Sequence, residues 1–402
     1  MVLKFIYCNL FSTWGKRILK NGGKLMSKEK NTGIGAVGIA STYVGTIIGA
    51  GYASGQEILQ FFNAFYEKGL IGILLATVLF IVAAYVPMML GRKLNTPNYT
   101  DVISVGKSKL PLIFSDVVVA FTLFSTLTIM VAASGTTFNQ TFGLPLIAGG
   151  IIMCVLMVLN LLAGIEGISK VLSYVVPVMV VGALAASIYF TINPAPVVDA
   201  TKEVVVNSSP LIKHWSLSGP LYVAFNYVVA VAVNVTLGYQ AKDLQAIKNG
   251  ALSGGLILGL CAFALYTALG KNLHIVGTSA LPMVDLANTV STTIGSIYSI
   301  ILFAGLYSTA ISCFFGVYQR FTTIPGMMKF GNNALIIGIA ALSLVLSMVG
   351  FTNLIGYVYP AIGYCGLIIL AMNCYRNAKT KDTVVDTVQE DAKQFVPKKQ
   401  TR

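Results

Sequence analysis

Gly45-Thr-Ile-Ile-Gly-Ala-Gly-Tyr-Ala-Ser-Gly-Gln-Glu57 sits in the middle of an apolar run, 34–63, in which Glu57 is the one acid. The run is long enough to cross a bilayer as a helix, which takes about 20 apolar residues. A continuous helix has no use for Gly45, Gly49, Gly51 and Gly55 at this density, because glycine loses more backbone freedom than any other residue on entering a helix. Two readings fit. The glycines form a small-residue packing face of the Gly-x-x-x-Gly kind, or they let the helix unwind at mid-membrane, where irregular backbone is tolerated only if it lines a buried or watery cavity. Once unwound, its freed amides can hold an anion and its freed carbonyls a cation. Packing alone leaves Ser54, Gln56 and Glu57 unexplained, so a broken helix is expected. Glu57 is then either an intramembrane carboxyl group, costly and a functional candidate by default, or a hydrated residue near the end of the span.

The rest of the chain agrees with lipid as its solvent. Of 402 residues, 56% are hydrophobic and 10% charged, against roughly 25% charged in a soluble domain. The apolar residues gather in runs such as 70–90, 144–162 and 334–349. Cys8, Cys154, Cys261, Cys313, Cys365 and Cys374 show no paired spacing and mostly lie inside apolar runs, so no disulfide framework is expected. His214 and His274 stand near no carboxylate at ligand spacing, which leaves zinc or haem little to bind, and no cofactor is expected. A P-loop, a His-Glu-x-x-His motif and Ser–His or Cys–His pairings are all missing from the sequence, which argues against an ATP-driven pump and against an enzyme.

Uncharged runs between charged or Pro/Gly-bearing loops place helices at 34–63, 70–91, 112–138, 144–163, 168–192, 218–240, 247–270, 290–319, 333–350 and 354–375. The fold class is an all-α integral membrane protein of about ten spans. The formal charge of +13 is not a nucleic-acid patch, since the basic residues sit in tails and short loops. Seven Lys/Arg precede Ile34 and seven follow Asn373; the loops on the same side carry nine more and the opposite loops four. The positive-inside rule then puts both termini in the cytoplasm. The long loop 193–217 divides the spans five and five, and an odd number per half makes the second half enter from the opposite face, the arithmetic of an inverted repeat. The expected organisation is a basic tail at 1–30, a first repeat at 31–192, an external loop at 193–217, a second repeat at 218–376 and a mobile tail at 377–402. Leu19-Lys-Asn-Gly-Gly-Lys-Leu-Met26 would be encoded by a purine-rich tract just upstream of an ATG, so translation is expected to start at Met26, with 1–25 an artefact, in a bacterium. The expected location is its cytoplasmic membrane.

Other spans carry weaker signals. The sixth holds Tyr222-Val-Ala-Phe-Asn-Tyr227, with Asn226 near mid-membrane and Asn234 two turns on; each asparagine is either interhelical glue or a mark of a second break. The eighth holds Gly305-Leu-Tyr-Ser-Thr-Ala-Ile-Ser312, hydroxyls that either bond their own helix or face a ligand. Asp116 reads as an interfacial or helix-start acid. Polar residues cluster in the middle of spans one, six and eight rather than in a continuous stripe, which fits an occluding site better than a channel.

Five-plus-five spans, Gly-x-Gly-Tyr-Ala-Ser-Gly-Gln-Glu at 49–57 and Phe225-Asn-Tyr227 together resemble the YkvI-type membrane proteins, distant members of the amino acid-polyamine-organocation superfamily with the LeuT fold. The resemblance covers 31–376 and implies a secondary transporter working by alternating access, with helices one and six both discontinuous. It implies a sodium site built from Gly45, Ile48, Gly305, Ser308 and Thr309. In some proton-coupled relatives a lysine in the fifth helix replaces the ion, and 171–190 contains none, so sodium coupling is favoured over a proton. The substrate, an amino acid or related small solute, would meet Gly49, Gly51 and Ser54 on one side and Phe225, Asn226 and Tyr227 on the other, with Phe121 and Ser125 completing the wall. Glu57 has no settled counterpart in the sodium-coupled carriers; the expectation for it is gating or proton coupling.

Overall fold

Apolar side chains in lipid leave the backbone no partner but itself, so the runs become helices. The structure, a computed structural model, describes residues 33–103, 110–163, 166–196, 204–322 and 331–380. The helices are α1 (Ala36–Ile47), α2 (Ala50–Ala53), α3 (Gln56–Phe61), α4 (Lys68–Lys93), α5 (Tyr99–Ile103), α6 (Leu110–Phe142), α7 (Leu146–Ala163), α8 (Glu166–Ile192), α9 (Trp215–Gln240), α10 (Leu244–Lys271), α11 (Leu273–Val276), α12 (Pro282–Val290), α13 (Thr292–Thr322), α14 (Asn332–Ser347) and α15 (Phe351–Lys379). Six of them, α4, α6, α9, α10, α13 and α15, are long and apolar enough to cross a membrane, and α1, α7, α8 and α14 carry shorter apolar stretches. The ten spans expected are therefore present. The start site at Met26 and the tail 1–30 lie outside the described residues, as does the second tail beyond Thr380; α15 itself runs past 376 to Lys379.

The packing repeats itself five spans on. The first span, through α1, packs on the seventh, α10; its image, the sixth span α9, packs on the second, α4. Likewise α6 with α15 mirrors α13 with α8, and α6 with α7 mirrors α13 with α14. The inverted repeat, invisible residue by residue in the sequence, is thus written in the contacts. Loop 94–103 with α5 straps the face where Lys93, Lys242, Arg320 and Arg376 gather, called the basic face below. There Lys93 Nζ donates to the Asn377 carbonyl at 2.8 Å, and Thr236 Oγ1 donates to the Pro97 carbonyl at 3.2 Å.

One expectation needs correction. The sixth helix does not break: α9 is continuous from Trp215 to Gln240. No glycine lies between Leu221 and Leu237. Asn226, the candidate mark of a break, instead donates through Nδ2 to the Tyr222 carbonyl of its own helix at 2.9 Å. Proline is accommodated elsewhere by an outside donor. Pro360 in α15 has no N–H for the Gly356 carbonyl, and the Ser209 hydroxyl supplies that bond.

On the basic face Arg320 Nη2 donates to the Tyr99 hydroxyl at 2.6 Å, Tyr99 donates to Asp116 Oδ1 at 3.0 Å, and Arg320 and Asp116 pair at 3.4 Å, so α13, α5 and α6 are tied at one point. The Arg320 and Asp116 side chains are 31% and 40% exposed, so water screens the pair. Arg320→Ala is expected to cost about 1 kcal/mol, the upper range for exposed pairs, and to lower the melting temperature in detergent by about 2 °C. A drop several times larger would mean that the strap is a structural keystone.

Candidate functional site

The first span is interrupted twice. α1 ends at Ile47; Ile48 turns extended at φ −75°, ψ 95°, and α2 begins at Ala50. The second interruption is at Gly55, whose φ of +81° is left-handed and favours glycine. Its backbone groups are not left to lipid. The Ser54 hydroxyl donates to the Gly51 carbonyl at 2.7 Å, the Met283 amide of α12 donates to the Ser54 carbonyl at 3.1 Å, and the Tyr298 hydroxyl of α13 donates to the Ala53 carbonyl at 2.6 Å. A Cβ at Gly55 would stand 3.0 Å from Met283 Cγ, so α12 sits directly on the turn. In α12's first turn, burial raises the Asp285 pKa, an effect partly offset by its hydrogen bond with Ser279.

Glu57 answers the question the sequence left open. It is 6% exposed and folded back into the crook of the broken helix rather than out toward water. The Tyr222 hydroxyl of α9 donates to its Oε2 at 3.3 Å. A Cβ at Gly51 would lie 2.3 Å from Oε1 and 3.6 Å from the Tyr359 hydroxyl. Glycine at 51 is what gives the carboxyl group its place. Around it the rings form one connected group: Phe225 stacks on Tyr359 at 4.3 Å and 11°, while Tyr222 meets Phe61, Phe225 and Phe80 edge-on at 5.3, 5.5 and 5.9 Å. Gln56, wholly buried next to Glu57, has neither its amide nitrogen nor its oxygen hydrogen-bonded. Such a group is rare enough in a folded interior to need a reason.

The other expected residues divide. Gly49, Gly51 and Phe225 belong to this neighbourhood. Ser54 is buried with its hydroxyl committed to the Gly51 carbonyl. Tyr227 turns away to Asn373 of α15, whose Nδ2 donates to its hydroxyl. Phe121 is 51% exposed on the same stripe of α6 as Ile113 and Val117, outside the ring group, whereas Ser125 is buried. The Thr309 hydroxyl donates to the Gly305 carbonyl at 3.2 Å, and a Cβ at Gly49 would be 3.8 Å from Thr309 Oγ1, so α13 meets the first interruption there. Ser308 is half-buried, and its carbonyl accepts the Ser312 hydroxyl at 2.9 Å. Gly45 is exposed, with no atom within 4 Å of where a Cβ would stand. Among the described residues no group of three or more His, Cys, Asp or Glu could hold a metal ion.

The two ends of the first span differ. Toward the face opposite the basic one, α2 and α3 are pinned by α12, α13 and α15, and Gln60 Nε2 donates to the Thr352 carbonyl at 2.9 Å. Toward the basic face, α1 packs on α9 and α10 and leaves Gly38, Ser41 and Gly45 exposed, and Ser312 of α13 is exposed as well. Lipid-facing surface here is built from large apolar residues, as in Leu70, Ile71, Leu74, Val78 and Val82 of α4. On α1 the exposed positions are instead mostly small, Gly38, Ser41 and Gly45, with Val37 as the large apolar exception.

No family model matches the chain. Two Bacillus subtilis (strain 168) proteins are similar to it: the uncharacterized protein YyaD, 28% identical over 329 residues, spanning 81% of this chain and 92% of that one, and the uncharacterized membrane protein YkvI, 25% identical over 334 residues, spanning 83% and 93%. Among solved structures, the inward-facing conformation of Mhp1 superposes with a TM-score of 0.57 at 13% identity, covering 84% of this chain and 76% of Mhp1. Mhp1, a nucleobase-cation-symport-1 family transporter, in a closed conformation with bromovinylhydantoin bound gives 0.53 at 13% identity, covering 83% and 75%. The likeness establishes the fold as a helical membrane protein of the five-plus-five LeuT type.

Proposed function

We propose that the chain is a secondary transporter of the amino acid-polyamine-organocation superfamily that carries a small organic solute, an amino acid or a related compound, across a bacterial cytoplasmic membrane by alternating access. The carrying observation is the twice-interrupted first span, with a buried carboxyl group folded into its crook, pinned on one face and bordered by exposed serine and glycine on the other. A solute site reached from one side at a time needs that asymmetry. With both termini cytoplasmic by the positive-inside rule, the basic face is the cytoplasmic one. Its partners are the lipid bilayer, the solute and a coupling ion.

Sodium is the proposed coupling ion, held by the carbonyls of Gly45 and Ile48 and by Gly305, Ser308 and Thr309. The approach of Thr309 to the interruption at Gly49 supports it, and five uncharged oxygen ligands would suit a hard monovalent cation. Coupling to a proton through Glu57 is the second reading, favoured by that group's burial. The test is thermal stability in detergent, with potassium as background. Sodium at a hundredfold its Kd is expected to add about 2.7 kcal/mol to wild type and nothing to the Ser308→Ala/Thr309→Ala variant. A wild type indifferent to sodium would eliminate the ion site and leave the proton.

A further inference from the structure

We infer that Glu57 selects the solute by charge, and that the site takes an organic amine bound as its cation, with the ammonium on the Glu57 carboxylate and the carbon skeleton among the rings. This deepens the transporter reading and rests on it.

The charge around Glu57 is one-sided. Among the described residues its hydrogen-bond partner is the Tyr222 phenol, and no lysine, arginine or histidine pairs with it. The described basic residues stand in loops or near the ends of the spans, from Lys68 and Lys93 to Arg320 and Arg376. The titratable groups facing the carboxyl group are the phenols of Tyr52 on α2, Tyr222 on α9 and Tyr359 on α15; behind these stand Cys261 on α10 and Cys313 on α13. None of these brings a positive charge. A solute anion would meet the carboxylate at like charge. A divalent metal would find one carboxylate where it needs several.

The walls point the same way. Phe61, Tyr222, Phe225 and Tyr359 place ring faces and edges around the crook, and a cation over aromatic faces gains from their quadrupoles, most of all when water is excluded. A hydrated metal ion has no use for such walls, whereas an ammonium on a hydrocarbon skeleton uses both charge and ring. Gln56, next to Glu57 in the chain, is wholly buried with both ends of its amide unpaired, an amide that can both accept from and donate to a further polar group. An amine without a carboxylate of its own suits the site better than the corresponding amino acid, whose carboxylate would have to be kept away from Glu57.

The test uses matched trios on the purified full-length protein in detergent: isoamylamine, isoamyl alcohol and leucine, then 2-phenylethylamine, 2-phenylethanol and phenylalanine, read as melting-temperature shifts. The amines are expected to stabilise wild type at concentrations at least tenfold below those at which the alcohols and amino acids act. Glu57→Gln, which keeps the shape and removes the charge, is expected to raise the half-saturating amine concentration at least tenfold. If alcohol or amino acid matches amine in wild type, or the amine shift survives in Glu57→Gln, the charge assignment is overturned. Leucine or phenylalanine shifting both proteins alike would overturn it while leaving the transporter site standing. A wild type shifted by no member of either trio would count against both readings. Should Glu57→Gln fail to fold, the comparison within each trio on wild type decides alone.

Discussion

Gly51→Ala is expected to weaken transport in proteoliposomes at least tenfold at low solute concentration while leaving the protein folded. The added Cβ would stand 2.3 Å from Glu57 Oε1 and 3.3 Å from Cδ. Those atoms are the far end of a side chain with three rotatable bonds, so the carboxyl group would swing aside and the backbone would stay put. Gly51 lies in the short helix α2, where alanine is at least as well accommodated as glycine, so the melting temperature should remain within about 2 °C of wild type. Displacement of the carboxylate is another matter. A charged hydrogen bond in a dry site contributes roughly 1.5–3 kcal/mol, which converts to a loss of about tenfold to a hundredfold in apparent affinity, and a misplaced charge at mid-membrane hinders closure besides. Glu57→Asp on the Gly51→Ala background retracts the carboxylate by one methylene and should restore part of the activity. Normal transport by Gly51→Ala would show that Glu57 has no fixed working position.

Much of this was legible in the sequence, and the reasons differ by element. The spans followed from hydropathy because lipid imposes helices on any long apolar run. The break in the first span followed from glycine density, a local property. Its neighbourhood did not. Tyr359 stands 302 positions from Glu57 and carries no local mark, and the pairing of Tyr222 with Glu57 spans 165 positions. Side chains from the first, sixth and tenth spans meet only when those spans pack. Even so, Pro360 marked an irregularity beside Tyr359, and Gln56, read with Glu57, was an amide with no stated purpose in an apolar run. The break expected in the sixth span was borrowed from a resemblance. The residues themselves, with no glycine from Leu221 to Leu237, spoke for the continuous α9 that is found. Phe121 was misplaced for a similar reason: its position on the third helix was carried over without the turn of the helix that decides whether it faces the site or the surroundings.

Gly238→Ala is the counterpart in which the fold, not the function, should fail. A Cβ there would fall 1.8 Å from the Met88 carbonyl oxygen, with the Met88 carbon and Cα at 2.4 and 2.5 Å. Every obstructing atom is backbone. One turn away the arrangement is reciprocal: a Cβ at Gly91 would meet the Val235 carbonyl oxygen at 2.2 Å. α4 and α9 therefore touch backbone to backbone at this end, through a glycine from each. A methyl group needs about 3.4 Å from such an oxygen, so the helices must part by more than an ångström along their whole contact. In lipid that contact is held by packing alone, since burying apolar surface gains nothing against acyl chains. Overpacking without an escape route costs about 3 kcal/mol or more. The expected result is a steep fall in monodisperse yield and a melting temperature lowered by at least 5 °C, against near-normal behaviour for Gly51→Ala. Gly91→Ala should do the same. The double variant should cost clearly less than the two single costs added, because helices already forced apart by one methyl group have room for the other. Additive losses would mean that each glycine meets a separate obstruction, and that the two chains do not cross at a shared point.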